Sequence, residues 1–301
     1  MRNTDLIPVD VRARLKDLRL YSQRISGAQG IGQHQSRSRG AGLEFAQYRA
    51  YEPGDEPRQI DWKLYARSDK FFVREAERDS SMIIWLLIDA TASMAQCDAK
   101  RPEWSRLQAA KAQAACVFEL ALRQGDHFGL IAVNDSGLTV TNTGNGTRHR
   151  DACLLALSKV HAQGAWPEEA KCRPIWERIS AQSLVLLLSD DFDEGCIALA
   201  ERLAAARREI LNIQILTAEE RDFPFQGGHR FVDLETKQEL LSDALGSRTA
   251  FITEFAAARG VLAARLAASG IKQIEYTLDQ PLDAPLRRLF MKGKARFQES
   301  V

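Results

Sequence analysis

Two short segments of this sequence are almost continuously apolar and end in carboxylates. Residues 82–89 read MIIWLLID, and residues 183–191 read SLVLLLSDD. A strand that alternates apolar and polar residues buries one face, whereas a continuous apolar run of this length suits a strand that is buried on both faces. Both segments are therefore predicted to be central strands of a parallel sheet with helices on each side. This prediction restricts the fold more than any other feature of the chain.

The rest of the sequence after residue 82 alternates between strand-like and helix-like patterns. Further strands are predicted at HFGLIAVN, LTVT, ILNIQILT and IKQIEYTL. Helices are predicted near residues 103–123, 148–161, 197–208 and 247–269, and another before residue 183. Such alternation is typical of a doubly wound, mostly parallel, Rossmann-type α/β sheet. LTVT follows HFGLIAVN closely and is predicted to be an antiparallel edge strand.

The beginning of the chain has a different character. Residues 1–79 are predicted to form a small N-terminal extension, and residues 80–301 the α/β domain. An amphipathic helix is predicted from residue 8 to about residue 25, because apolar residues recur there at helical spacing. A flexible loop rich in Gly, Ser and Gln is predicted for residues 26–42. Residues 45–79 are predicted to form an irregular or β-rich unit.

The composition argues against several classes of protein. Lys and Arg total 41, and Asp and Glu total 40, so the net charge of +1 gives no reason to expect nucleic acid as a partner. The five cysteines contain no Cys-x-x-Cys pair, which disfavours a disulfide framework or zinc ribbon and favours the reducing cytoplasm. The apolar runs are far shorter than the ~20 residues that span a bilayer, so membrane insertion is not expected.

The ends of the two apolar strands carry the candidate site. Ligands of doubly wound sheets bind outside the carboxyl ends of the strands, where the strand order reverses. Asp89 ends the first strand, Thr91 and Ser93 follow it in alternation with alanines, Asp190 follows the second strand, and Thr147 lies in a loop before a helix. Carboxylates and hydroxyls are oxygen ligands, which Mg²⁺ and Mn²⁺ prefer. These five residues are therefore predicted to bind Mg²⁺ or Mn²⁺.

The same residues allow two other interpretations. Asp, Ser and Thr after a strand often only cap the next helix. A magnesium-dependent phosphatase or phosphotransferase would use Asp89 as its nucleophile. Position 91 is Thr, however, where such enzymes are expected to carry a second acid, and the sequence has neither a His-x-x-x-His pattern nor a Gly-x-Ser-x-Gly elbow. We therefore expect a binding module and not an enzyme.

The residues after the first strand resemble a known metal site. DATAS, from Asp89 to Ser93, resembles the Asp-x-Ser-x-Ser element of the metal-ion-dependent adhesion site of von Willebrand factor A domains, with Thr91 in place of the first serine. Thr147 and Asp190 fall where the loop threonine and second aspartate of that family are expected. The resemblance implies a von Willebrand factor A-like fold with a divalent cation that captures an acidic side chain of a partner.

A segment before the sheet is a more specific match. RAYEPGDEPRQIDW, continuing to Ala66 and Arg67, looks like the signature of the bacterial "domain of unknown function 58" family. Members of that family are often associated with MoxR-type AAA+ ATPases. The resemblance implies such an ATPase, and other von Willebrand factor A proteins, as partners in assembly or maturation of protein complexes.

The signature residues themselves have two interpretations. Arg58, Asp61 and Arg67 are predicted to form an ion-pair network with Trp62 as an apolar anchor, but Tyr, Trp and Arg are also common at protein interfaces. The positions that are structural or contact a partner are Arg49, Tyr51, Gly54, Asp55, Arg58, Asp61, Trp62 and Arg67.

Overall fold

The computed structural model divides the chain into two compact units. One unit comprises residues 1–26 and 82–301, and the other comprises residues 27–81. The residues that the structure describes are 6–22, 44–51, 60–77, 81–232, 234–235 and 238–291. The larger unit contains the predicted cation site, and the smaller contains the signature segment.

The strands and helices predicted after residue 82 are present in the predicted order, and the structure adds the strands β8 and β9 and the helices α7 and α9. The strands are β1 (Glu44–Ala50), β2 (Phe72–Glu77), β3 (Ile83–Asp89), β4 (His127–Asn134), β5 (Gly137–Gly144), β6 (Leu184–Ser189), β7 (Glu209–Leu216), β8 (Gly228–Val232), β9 (Glu239–Asp243) and β10 (Lys272–Thr277). The helices are α1 (Val9–Arg14), α2 (Trp62–Ser68), α3 (Arg106–Gln124), α4 (Thr147–Ser158), α5 (Glu169–Arg178), α6 (Glu194–Ala205), α7 (Ala218–Asp222), α8 (Ala244–Ala268) and α9 (Ala284–Phe290).

The larger unit is built on a six-stranded sheet with the order β10-β7-β6-β3-β4-β5. Five strands are parallel, and β5 is an antiparallel edge strand paired with β4, as predicted. Of the six strands in this sheet, β3 comes first along the chain and lies at the centre, and the order reverses between β3 and β6. This is the doubly wound arrangement, in which ligands bind at the reversal point. The predicted α/β fold is confirmed.

The apolar runs fill both faces of the sheet, as a central strand requires. Side chains alternate along a strand, so Ile84, Leu86 and Ile88 face one layer of helices that includes α3. Trp85 and Leu87 face the other layer, which includes α5 and α6. All residues of β6 and β7 are buried. A sheet covered on both faces leaves its edge strands and its two ends open to solvent.

The first helix belongs to the larger unit and not to an N-terminal extension. Val11, Leu15 and Leu18 are buried in the same core as the central strands. The helix is shorter than predicted and ends at Arg14. An amphipathic helix must bury its apolar stripe against other elements, and here Arg123 at the end of α3 donates to the backbone oxygens of Leu15 and Leu18. The observed division, with residues 27–81 separate, thus differs from the predicted boundary at residue 79.

A hairpin and a long helix separate β7 from β10. β8 and β9 pair antiparallel, from Gly228 opposite Asp243 to Val232 opposite Glu239. They form a two-stranded sheet of their own and are not hydrogen-bonded into the central sheet. The helix α8 that follows has 25 residues. Within the described ranges, no helix combines the length and apolar character needed to cross a membrane.

Candidate functional site

Asp89 is the last residue of β3, and its carboxylate is fully buried. Its Oδ1 accepts hydrogen bonds from the Thr91 backbone N–H at 2.9 Å and from the Thr91 hydroxyl at 2.7 Å. Its Oδ2 accepts a hydrogen bond from the Ser189 hydroxyl at 2.7 Å. Donors on both oxygens fix the orientation of this carboxylate at the carboxyl end of the sheet.

The hydroxyls of Thr91 and Ser93 lie side by side, with their oxygens 3.0 Å apart. Thr91 has an extended backbone and precedes a short 3₁₀ turn at Ala92–Ala95. The alternation of Asp, Thr and Ser therefore brings three oxygen-bearing side chains together, as the sequence predicts.

Asp190 follows β6 and lies next to Asp89. The register of the parallel strands pairs Ile88 with Leu188, which brings the residues after both strands to the same end of the sheet. Burial, and then the negative charge of Asp190, raise the pKa of Asp89 to about 7. Two buried acids this close favour the binding of a positive charge between or beside them.

Arg106 supplies part of that positive charge, and the sequence analysis did not single it out. It opens α3 and is 1 % exposed. Its guanidinium donates to Asp190 Oδ2 at 2.7 Å and also pairs with Glu220. A cation is unfavourable at the positive end of a helix dipole, so an arginine at the first helical position could have signalled an acidic partner.

Asp191 forms a second buried layer behind the site. Burial raises its pKa to about 8, although its Oδ2 accepts hydrogen bonds from Asn212 at 2.6 Å and Gln273 at 3.4 Å. Gln214 donates to the backbone oxygen of Asp190 at 3.1 Å. Amides from β7 and β10 thus hold the chain that carries Asp190.

A further carboxyl group reaches the site from the turn between β8 and β9. Glu235 is partly buried and shares a cavity wall with Ser93 and Arg106. Burial raises the pKa of Glu235 above its ordinary value. A hydrogen bond from the Ser93 side chain opposes that rise, and the negative charge of Asp190 increases it. The Thr91 side chain also hydrogen-bonds to it. Sequence patterns do not reveal this contact, because more than 140 positions separate Glu235 from Ser93.

Thr147 lies at the opposite end of the sheet, so its prediction as a ligand was wrong. β5 runs antiparallel to β4, and its last residue, Gly144, pairs with Phe128 near the start of β4. Asp89 pairs with Val133 near the end of β4. At the rise of a strand, the span from Phe128 to Val133 is about 17 Å. Thr147 is exposed beyond Gly144 and begins α4.

The loop of residues 161–166 is hydrogen-bonded to the loop that follows Asp89. The Ala92 N–H donates to the Gly164 backbone oxygen at 2.7 Å, and the Gln163 N–H donates to the Ala90 backbone oxygen at 2.9 Å. The sequence of this loop, HAQGAW, contains no Ser or Thr. It therefore supports the site through its backbone and offers no hydroxyl.

The donor set fits a hard cation that keeps several waters. In the described part of the chain, no group of three or more His, Cys, Asp or Glu side chains is arranged to hold a metal. The oxygens at Asp89, Thr91, Ser93 and Asp190 suit magnesium, which binds through one or two carboxylates and retains water. Arg106 already neutralises part of this charge, so the fit depends on the remaining acids.

The phosphatase interpretation is not favoured by this geometry. An aspartate nucleophile must present one oxygen to the substrate. Such an enzyme would also carry a second acid at position 91, where this chain has Thr91, whose hydroxyl donates to Asp89.

The signature segment is described only in part. Gly54, Asp55 and Arg58 lie outside the described residues, as does the side chain of Arg49, so the predicted turn and ion-pair network remain predictions. The backbone of Arg49 pairs with Val73 in the antiparallel β1–β2 ribbon.

The signature residues that are described form a helix cap and an aromatic cluster. Asp61 caps α2 by accepting from the backbone N–H groups of its second and third residues. Trp62 is 58 % exposed, more than expected for an apolar anchor, and its ring meets Phe71 edge-on. Tyr51 contacts the same phenylalanine ring, and Arg67 is exposed at the end of α2.

Sequence comparison assigns the chain to a family. The model of the family described as "protein of unknown function DUF58" matches residues 47–261. The chain belongs to this DUF58 family. It is 27% identical over 247 residues to the uncharacterized proteins Mb1516 of Mycobacterium bovis and Rv1480 of Mycobacterium tuberculosis, covering 78% of this chain and 74% of each relative.

Solved structures with similar folds include von Willebrand factor A proteins. BatB of Bacteroides thetaiotaomicron is 11% identical with a TM-score of 0.41, and covers 69% of this chain and 95% of its own. The SpRpn10 VWA domain has 15% identity, a TM-score of 0.41 and the same coverage. An aerotolerance-related membrane protein of Bacteroides fragilis has 12% identity and a TM-score of 0.43, and covers 69% and 96%. Likeness at this level says nothing about activity or partners.

Proposed function

We propose that this DUF58 protein is a metal-dependent protein-interaction module, with its cation at the carboxyl ends of β3 and β6. One observation carries the proposal: Asp89 and Asp190 are buried side by side at the point where the strand order reverses, next to the hydroxyls of Thr91 and Ser93. Mg²⁺ or Mn²⁺ would be held by these oxygens, directly or through water.

The chemistry of the donors suits ligand capture. Because Arg106 pairs with one of the two carboxylates, they neutralise a divalent ion only in part, and the neutral hydroxyls add no charge. A cation of this kind attracts a further carboxylate, so the preferred partner group is an acidic side chain. The proposed partner is a MoxR-type AAA+ ATPase or another von Willebrand factor A protein, in line with the resemblance of the signature segment, and the proposed role is assembly or maturation of complexes.

Calorimetric titration with MnCl₂ and MgCl₂ tests the cation site. We expect saturable binding by the wild type and at least about tenfold weaker binding by Asp89→Asn, which keeps the size of the side chain. Asp151→Asn is the matched control, because Asp151 is an exposed aspartate on α4 that pairs with Arg150. Absence of saturable binding by the wild type would overturn the proposal.

A pull-down with a purified MoxR-type ATPase tests the partner. Capture should require Mg²⁺, should be lost with EDTA, and should be lost in Asp89→Asn while Asp151→Asn behaves as wild type. Capture that is unchanged by EDTA would show that the interaction does not use the cation.

A further inference from the structure

The side-chain oxygens at the carboxyl end of the sheet approach one another more often than their hydroxyl protons can account for. Four close approaches link Glu235 to Ser93 and to Thr91, Ser93 to Thr91, and Thr91 to Asp89. The two hydroxyls supply one proton each. Two of the four approaches therefore have no hydroxyl proton of their own and need another source of positive charge, namely a cation or a proton on a carboxyl group.

The charges around Glu235 point the same way. Its carboxyl group lies near the charge of Asp190, and Asp190 lies near Asp89. Acids held together in this way repel each other unless a positive charge joins them. Arg106 forms its ion pairs with Asp190 and Glu220. A cation beside Ser93 would meet the carboxylate of Glu235 from one side and the Asp89 loop from the other.

The hairpin holds Glu235 over the site through apolar packing. A cavity of about 470 Å³ lies between the hairpin and the sheet end. Its polar wall includes Ser93, Arg106 and Glu235, and its apolar wall includes Phe192 and Phe231. Phe231, on β8, stacks on a phenylalanine that follows α7, with ring centroids 5.8 Å apart.

Part of the same hairpin is exposed to solvent. It is a separate two-stranded sheet, and isolated hairpins are marginally stable at best. The side chains of β8 are half-buried or exposed in alternation, and Leu241 on β9 is 79 % exposed. The ring contact of Phe231 and the hydrogen bonds of Glu235 are therefore contacts that attach the hairpin to the rest of the unit.

We propose that Glu235 is an internal ligand of the cation site. Its carboxylate takes the coordination position that an acidic side chain of a partner would take, so the two carboxylates compete for the cation. The inference rests on the proposed function and adds a competitor within the chain. The site then binds its cation in the absence of a partner, and a partner must supply a carboxylate that displaces Glu235.

Mn²⁺ titration followed by water-proton relaxation tests this inference without a partner. Removal of a carboxylate ligand should weaken Mn²⁺ binding by Glu235→Gln about tenfold. It should also raise the relaxation enhancement of the bound ion, because water replaces the lost carboxylate. Glu235→Asp, with a shorter side chain, should show a smaller change in the same direction. Glu239→Gln is the matched control, because Glu239 lies on the same hairpin and is exposed beside Arg230.

Hydrogen exchange gives an independent measurement. Mn²⁺ should slow amide exchange across residues 228–243 in the wild type and in Glu239→Gln, but not in Glu235→Gln. If Glu235→Gln matches the wild type in affinity, relaxation and protection while Asp89→Asn loses the metal, the internal ligand is refuted and the cation site stands. If the wild type binds no Mn²⁺, both proposals fail.

Discussion

The two ends of the central sheet differ in chemistry although the same apolar strands connect them. At the amino end, polar side chains bond to the backbone at strand ends: Asp126 accepts from the Met82 N–H at 2.8 Å, and a His149 ring nitrogen contacts the Phe128 backbone oxygen at 2.7 Å. At the carboxyl end, acids cluster around one arginine. The first arrangement closes off a strand end, whereas the second concentrates charge that a ligand can use.

This contrast explains why one end of the sheet is a candidate site and the other is not. Buried polar groups whose hydrogen bonds are satisfied within the fold are ordinary in proteins and need no ligand. Buried acids that share too few positive charges are costly, and such costs are common at functional sites. Three measurements distinguish whether Arg106, bound protons or a cation neutralises the acids at the carboxyl end.

The largest effect is expected for Arg106→Met. It leaves Asp190 and Glu220 without their shared partner at a buried position, which should lower the free energy of unfolding by about 3–5 kcal/mol. Urea denaturation measures this change. Arg202→Met removes an exposed pair with Glu169 and should cost about 1 kcal/mol or less. Equal effects of the two variants would contradict a special role for the carboxyl end.

The second effect is a dependence of stability on pH in metal-free buffer. The pKa of Asp89 is about 7 and that of Asp191 about 8 in the folded protein, both above the ordinary value of 3.8. Between about pH 4 and about pH 8, these two side chains therefore bind more protons in the folded state than in the unfolded state. Stability should fall as pH rises from about 4 to about 8, by on the order of a few kcal/mol.

A divalent cation should reduce this loss, because it stabilises the charged acids that protons otherwise neutralise. Thermal unfolding at pH 5 and pH 8, with EDTA or with MnCl₂, measures both effects. The variant Asp89→Asn should show a weaker pH dependence and no response to Mn²⁺. Stability that rises over this pH range would contradict the assignment of the buried acids.

The smallest effect compares hydroxyls at the two ends. Ser93→Ala removes a proposed ligand and should weaken Mn²⁺ binding about tenfold, which corresponds to about 1.4 kcal/mol. Thr147→Ala should leave the affinity unchanged, because Thr147 is exposed at the amino end. Calorimetry distinguishes the two. A loss of affinity in Thr147→Ala would mean that the loops at the two ends of the sheet do not lie as they do in this structure.

The sequence by itself determined the central sheet and one half of the site. Continuous apolar runs are specific for strands buried on both faces, so β3 and β6 and the acids at their ends could be read directly. Asp89, Thr91 and Ser93 are near neighbours along the chain, and local spacing was enough to predict that they meet.

Tertiary structure decided the other half, because those contacts join residues that are distant in sequence. Arg106 reaches Asp190 across 84 positions, and Glu235 comes from a hairpin with no pattern that links it to β3. Thr147 is the opposite case, a residue that local spacing assigned to the site and that tertiary structure places elsewhere. Its place depends on the direction of β5, and an antiparallel strand delivers the following residue to the far end of the sheet. Strand direction and long-range packing, not local spacing, selected which oxygens and charges share the site.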